Sequence, residues 1–173
     1  MDHELVALSE AVRDATLAPY RHRRLLIATA ESCTGGWAAQ VITHTAGSSE
    51  WFERGFVTYS NEAKIDLLDV NTVSLTDFGA VSTEVAAEMA VGALRHSRAD
   101  LSVSITGIAG PGGGSPDKPV GTVCFAWCVR DTAGNISVPS CERRLFQGDR
   151  EMIRRTAVIH ALNGLVALAN SVP

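Results

Sequence analysis

The hydrophobic and polar positions of the chain follow helical and strand patterns in turn. Leu5, Leu8 and Val12 recur at helical spacing and predict a first helix over residues 2–17. The short apolar run from Leu25 to Ala30 predicts a buried strand instead. The same criteria predict helices over residues 37–42, 61–68, 83–96 and 149–170, and strands over residues 56–59, 101–105, 121–130 and 136–146.

This order of elements predicts an α/β fold. Strands that alternate with helices, followed by a hairpin turning at residues 131–135, are typical of a three-layer α/β/α sandwich on a mixed, mostly parallel sheet of about five strands. No linker or repeat interrupts residues 1–173, so we expect a single domain. If strands 25–30 and 101–105 are parallel, the loops after them lie at the same edge of the sheet.

Composition restricts the class of protein. Apolar residues make up 46% and charged residues 20%, as in an ordinary globular protein. The net charge of -4 argues weakly against a nucleic-acid partner, and we interpret the densest basic run, residues 21–24, as a solvated loop. No apolar run is long enough for a membrane span, and the N-terminus lacks a signal-peptide pattern. We therefore expect a cytoplasmic protein with reduced cysteines and no membrane partner.

The cysteines and histidines do not predict a metal site. Cys124 and Cys128 lie on one predicted strand, where four residues separate the sulfurs by about 13 Å, too far to share one ion. The histidines show no paired spacing either. We therefore expect no metal.

A turn of small residues between the first strand and the next helix is the first candidate site. Ser32 there is either a helix cap or a nucleophile, and Thr34 is an alternative cap. Gly35 and Gly36 leave the first turn open, so that a substrate could approach its backbone N–H groups. Cys33 is a rival nucleophile, since a helix N-terminus favours a thiolate.

A serine nucleophile needs a base, and Lys64 is the candidate. No His–Asp pair is evident, and His44 is the only histidine near the turn in sequence. Lys64 lies on a predicted helix that begins near Ser60 or Asn61, where it is either a solvated lysine or a desolvated, neutral base. Serine–lysine pairs are a known variant of the catalytic triad.

A glycine-rich loop over residues 107–114 is the third candidate. It matches neither a Walker A loop nor the dinucleotide fingerprint, so it is either a flexible turn or a set of N–H groups for a phosphate or carboxamide. Arg150, at the start of the last predicted helix, is either a surface residue or a phosphate ligand.

Together these segments resemble the family formed by the C-terminal domain of CinA and the stand-alone nicotinamide-nucleotide amidases. The resemblance extends in order over nearly the whole chain, and several of the matching strings are long enough to be specific. They are Thr29–Gly36, Ala46–Lys64, Gly79–Ser82, Ser104–Pro111, Lys118–Val123 and Phe146–Arg150.

The resemblance implies an activity and a site. The implied reaction converts nicotinamide mononucleotide to nicotinic acid mononucleotide and ammonia, without cofactor or metal, in a stand-alone form that is a homodimer. Ser32 would be the nucleophile and Lys64 the base, with Tyr59 as a proton relay or as a residue that orients Lys64. The expected substrate-binding residues are Thr34, Gly35, Gly36, Ser49, Thr106, Gly107, Gly110 and Arg150.

The expected mechanism is acyl transfer from the carboxamide to Ser32. N–H groups of the turn at residues 32–36, helped by Thr106, would hold the oxyanion. Two alternatives stay open at this point: a Cys33 hydrolase of another amide, and a nucleotide-binding regulatory module without turnover.

Overall fold

A computed structural model describes residues 2–18 and 23–172. A short 3-10 helix, Ser48–Glu50, precedes the second strand. The helices are α1 (His3–Thr16), α2 (Trp37–Ile42), α3 (Asn61–Leu68), α4 (Thr72–Asp77), α5 (Thr83–Arg95) and α6 (Arg150–Ser171), and the strands are β1 (Ile27–Glu31), β2 (Phe52–Val57), β3 (Leu101–Gly107), β4 (Thr122–Val129) and β5 (Ser140–Leu145).

The strands form one mixed sheet in the order β2-β1-β3-β4-β5, which confirms the predicted fold class. β1 pairs in parallel with β2 and β3, whereas β4 is antiparallel to both of its neighbours. The chain therefore leaves β1, β2 and β3 at the same edge of the sheet. This edge brings the turn at Ser32, the segment after Val57 and the glycine loop together, as the parallel arrangement predicts.

Helices cover both faces of the sheet. α1, α2 and α6 pack on one face and α3, α4 and α5 on the other, and β1 is consequently buried along its whole length. The predicted apolar stripe of α5, which includes Val85, Met89 and Leu94, is fully buried against the sheet. Burial on both faces explains why the central strands are continuous apolar runs without alternation.

The predicted elements and the structure differ most at α4, β2 and β5. α4 was not predicted, because none of its residues is buried and its sequence carries no apolar stripe. β2 begins and ends earlier than the predicted strand over residues 56–59, so Thr58 and Tyr59 lie in the turn that follows it. β5 begins at Ser140, since Ile136 makes only an isolated bridge to Arg130.

The basic run at residues 21–24 is described only in part. Arg21 and His22 lie outside the described residues. Arg23 forms an ion pair with Asp100 at 2.7 Å, and Arg24 lies 3.7 Å from Glu50. Both described arginines thus face acidic groups of the same chain. Within residues 2–18 and 23–172, no helix combines the length and apolar character that a membrane crossing requires.

Candidate active site

A cleft of about 280 Å³ lies at the edge of the sheet where β1, β2 and β3 end. Its walls are the turn after β1, the start of α3 and the glycine loop after β3. Residues from distant parts of the chain line it: Ser32, Cys33, Tyr59, Asn61, Lys64, Ala80, Val81, Thr106, Gly107, Ile108, Ala109, Gly110, Gly112, Gly113 and Arg150.

Ser32 and Lys64 meet at the bottom of this cleft. The Nζ atom of Lys64 lies 3.0 Å from the Oγ atom of Ser32. Both side chains are nearly inaccessible, with 8% of Ser32 and 1% of Lys64 exposed. Ser60 caps α3 by accepting a hydrogen bond from the Ala63 N–H, which fixes the helix that carries Lys64. Lys64 is therefore a buried partner of Ser32 and not a solvated helix lysine.

Backbone carbonyl groups surround the rest of the Lys64 amine. Nζ lies 2.8 Å from the Thr58 oxygen, 3.4 Å from that of Tyr59 and 3.5 Å from that of Ser60. A neutral amine can donate two hydrogens to this set and keep its lone pair for the Ser32 hydroxyl. Burial lowers the pKa of Lys64 below its usual value of 10.5, because desolvation penalises the ammonium form.

Glu31 holds the turn between β1 and α2. Its fully buried carboxylate accepts hydrogen bonds from the Thr34 hydroxyl at 2.7 Å and from the N–H groups of Gly36, Ala38 and Ala39. The predicted side-chain caps are therefore wrong: the N-cap position is Gly36 at φ 94°, with no cap bond of its own. Sequence reasoning missed Glu31, although an acidic residue just before a helix was an available signal.

Hydrogen bonds to other residues occupy only some of the backbone N–H groups of this turn. The Gly35 N–H donates to the Ser32 carbonyl at 3.0 Å, and Gly36 N–H is bonded to Glu31. In the described part of the chain, the N–H groups of Cys33 and Thr34 have no hydrogen bond to another residue. Of the N–H groups in the turn that were expected to bind an oxyanion, those of Cys33 and Thr34 are therefore the available candidates.

Cys33 is a poor rival to Ser32. Its side chain is 6% exposed, and burial raises the pKa of its thiol to about 12. A thiol with that pKa stays protonated near neutrality, and a helix N-terminus does not compensate for the desolvation. The chemistry of the cleft therefore favours the serine.

Arg150 joins two walls of the cleft. Its Nη1 donates to the Gly110 carbonyl at 2.7 Å, and its Nη2 donates to the Tyr59 hydroxyl at 3.1 Å. The phenol of Tyr59 thus turns toward Arg150, and only the Tyr59 backbone carbonyl approaches Lys64. This geometry disfavours Tyr59 as a proton relay to the lysine.

The other expected binding residues are distributed over three places. Thr106, Gly107 and Gly110 line the cleft, but the Thr106 hydroxyl donates to the Ala80 carbonyl at 2.8 Å. Thr34, Gly35 and Gly36 line an adjoining cleft of about 580 Å³ that shares Arg150 with the first. Ser49 is exposed in the 3-10 helix before β2, at the opposite end of that strand, and this chain does not bring it to the cleft.

Among residues 2–18 and 23–172, no three His, Cys, Asp or Glu side chains cluster closely enough to hold a metal ion. Cys124 and Cys128 both lie on β4, as predicted, and all four cysteines are free thiols.

The fold is a three-layer α/β/α sandwich, and a cleft at the carboxyl edge of its sheet holds a buried lysine against a serine hydroxyl. Residues 9–169 match the family described as the CinA C-terminal domain. The chain belongs to this family. The nicotinamide-nucleotide amidohydrolase PncC of Escherichia coli (strain K12) is 54% identical over 164 residues, which cover 95% of this chain and 94% of that protein.

Longer relatives and solved structures agree with this assignment. A CinA-like protein of Chlorobaculum tepidum is 47% identical over 93% of this chain, which matches 37% of that longer protein. The crystal structure of the competence/damage inducible protein CihA from Agrobacterium tumefaciens superposes with a TM-score of 0.85 and 46% identity, over 97% of both chains.

Proposed function

We propose that this chain hydrolyses the carboxamide of nicotinamide mononucleotide to nicotinic acid mononucleotide and ammonia, with Ser32 as nucleophile and Lys64 as base. The observation that carries the mechanism is the 3.0 Å contact between the buried Lys64 amine and the Ser32 hydroxyl. The substrate is supported by relatives named nicotinamide-nucleotide amidohydrolase, which match this chain over nearly its whole length.

Acylation begins when neutral Lys64 takes the proton of the Ser32 hydroxyl. The oxygen attacks the carboxamide carbon, and the N–H groups of Cys33 and Thr34 stabilise the negative charge that develops on the carbonyl oxygen. Lys64 then gives its proton to the departing nitrogen. The C–N bond breaks, ammonia leaves, and an ester joins Ser32 to the substrate.

Deacylation repeats these steps with water. Lys64 takes a proton from the water as its oxygen attacks the ester carbon, and it returns that proton to the Ser32 oxygen when the ester bond breaks. The product forms as a carboxylic acid, and its proton passes to the solvent to leave the carboxylate. The lysine starts and ends each half-reaction neutral, so no other base is required.

A binding module without turnover explains the site less well. Desolvating a lysine is costly, and a module that only binds nucleotide has no need to place that lysine against a serine hydroxyl. A hydrolase with Cys33 as nucleophile is disfavoured, because burial raises the pKa of the thiol and keeps it protonated.

The test of the function is product formation by purified protein. Incubation with nicotinamide mononucleotide should release ammonia and nicotinic acid mononucleotide in equal amounts. A Ser32→Ala protein purified in parallel controls for contaminating amidases. Tight binding of the mononucleotide without release of ammonia would instead support the regulatory module.

Arg150→Ala should weaken recognition of the substrate phosphate. The guanidinium lies at the mouth of the cleft with donors beyond those bonded to Gly110 and Tyr59, and a charge-assisted contact changes affinity by about tenfold to a hundredfold. We expect KM for the mononucleotide to rise by that factor, with kcat largely kept.

Nicotinamide riboside, which lacks the phosphate, is the control for this substitution. Its KM should not respond to Arg150→Ala, and the preference for the mononucleotide should shrink. If both substrates lose affinity equally, Arg150 acts by holding the glycine loop and is not a phosphate ligand.

The proposal also includes a homodimer in the cytoplasm with no nucleic-acid partner. The family resemblance supports the dimer, and the net charge of -4 supports the absence of nucleic acid. Light scattering coupled to gel filtration tests the dimer: a single species of twice the chain mass is expected, and a monomer would contradict it.

A further inference from the structure

Arg154 contacts the turn that carries Ser32 from the adjoining cleft, which it lines. It lies on α6, one helical turn after Arg150, and sequence reasoning missed it although this spacing places both on one face. Its Nε donates to the Cys33 carbonyl at 3.0 Å, and its Nη2 donates to the Thr34 carbonyl at 2.8 Å. The guanidinium also stacks over the Trp37 ring, 5.5 Å from its centre, which fixes its position.

These two bonds determine which way the peptide groups of the turn face. The carbonyl of Cys33 and the N–H of Thr34 belong to one planar trans peptide and point in opposite directions. Because Arg154 draws the carbonyl toward itself, the Thr34 N–H points away from Arg154. The next peptide behaves in the same way: its carbonyl faces Arg154, and its Gly35 N–H donates to the Ser32 carbonyl at 3.0 Å.

No other hydrogen bond in the described chain holds the first of these peptides. Within residues 2–18 and 23–172, the Cys33 carbonyl receives its hydrogen bond from Arg154 alone. Glu31 bonds the Thr34 hydroxyl and the N–H groups of Gly36, Ala38 and Ala39, and so makes no hydrogen bond to that peptide. A rotated peptide would present a carbonyl oxygen where an oxyanion needs a donor.

We propose that Arg154 is a positioning residue that aims the Thr34 N–H at the oxyanion formed on Ser32. The substrate in this inference comes from the proposed function, whereas the geometry of Arg154 and the turn does not depend on it. Arg154 does not touch the substrate in this account. It acts through the peptide between Cys33 and Thr34, so its loss should affect the transition state and leave ground-state binding unchanged.

The test compares Arg154→Gln and Arg154→Lys with a matched control, Arg155→Gln. Arg155 is the next residue of α6, also half-buried, and pairs with Asp2 and Glu4 on α1, away from both clefts. Two readouts are taken: steady-state turnover of the mononucleotide, and the rate at which a small fluorophosphonate labels Ser32. Labelling develops charge on a phosphoryl oxygen in the same hole and does not depend on the identity of the substrate.

Arg154→Gln should lower kcat and the labelling rate together by about a hundredfold, the scale of one misplaced oxyanion donor. KM and the pKa of the rising limb in the pH profile should stay at their wild-type values, since Lys64 is untouched. Arg154→Lys can keep one of the two hydrogen bonds to the carbonyl groups, so its kcat and labelling rate should lie between those of the wild type and Arg154→Gln. Arg155→Gln should behave as wild type in both readouts.

Other results overturn the inference. The inference is wrong if Arg154→Gln keeps the wild-type labelling rate and kcat. If Arg154→Gln does not fold, the same result in Arg154→Lys contradicts the inference. A raised KM with unchanged labelling would make Arg154 a substrate ligand of the adjoining cleft. If the wild type labels at Ser32 but releases no ammonia, the proposed function fails while the labelling comparison still decides the role of Arg154. If the wild-type protein neither is labelled at Ser32 nor releases ammonia, both the proposed function and the role of Arg154 are wrong.

Discussion

Lys64→Arg is expected to be as inactive as Lys64→Met, with kcat lower by a factor on the order of 10⁴ or more. An arginine keeps the positive charge but stays protonated, so it cannot take the Ser32 proton. A lysine that only bound phosphate would behave differently, because arginine would restore part of the activity and the loss would fall on KM.

The pH profile provides the second half of this prediction. Burial lowers the pKa of Lys64 from its usual 10.5, and the neutral amine is the active form. Activity should therefore rise with pH through a pKa below 10.5 and be lost as pH falls through it. Lys118→Arg, the same substitution in the loop after β3, is the matched control and should keep the wild-type profile. Substantial kcat in Lys64→Arg would contradict the serine–lysine mechanism.

Ser32→Ala is expected to have an effect of similar size. A nucleophile and its base act as a unit, so removal of either should cost several orders of magnitude in kcat. KM should change little, since the hydroxyl contributes mainly to the transition state. Steady-state kinetics with the mononucleotide measures both parameters.

Cys33→Ala is the control for Ser32→Ala. It removes a buried thiol from the neighbouring residue and should keep most of kcat, at some cost in stability from the cavity. Iodoacetamide offers a second check: the exposed thiol is Cys141, on the edge strand β5, and its alkylation should leave turnover intact. Loss of activity in Cys33→Ala with retention in Ser32→Ala would reverse the assignment.

The sequence predicts the edge of the sheet where the cleft lies, because its signals there are local. A buried strand followed by small residues places Ser32 at a strand end, and Ser60 marks the start of the helix that carries Lys64. Parallel pairing of β1 with β2 and β3 then brings these ends together. Each step depends on a pattern of a few neighbouring residues.

What the sequence does not predict depends on contacts between distant elements. Arg154 reaches a carbonyl 121 positions away, and only the packing of α6 beside α2 makes that contact. The amine of Lys64 is buried against Ser32 after β1 and against the carbonyl of Thr58 after β2, and the pattern of its own helix does not reveal these contacts. α4 is missed for the opposite reason, because none of its residues is fully buried and its sequence has no apolar pattern to detect.

The most direct test of the account is the covalent intermediate on Ser32. Protein quenched in acid during turnover of nicotinamide mononucleotide is digested, and the peptide that carries residues 32 and 33 is analysed by tandem mass spectrometry. A serine nucleophile predicts an adduct with the mass of the substrate less ammonia, located on Ser32 and absent from Ser32→Ala. An adduct on Cys33, or ammonia release at the wild-type rate by Ser32→Ala, would contradict it.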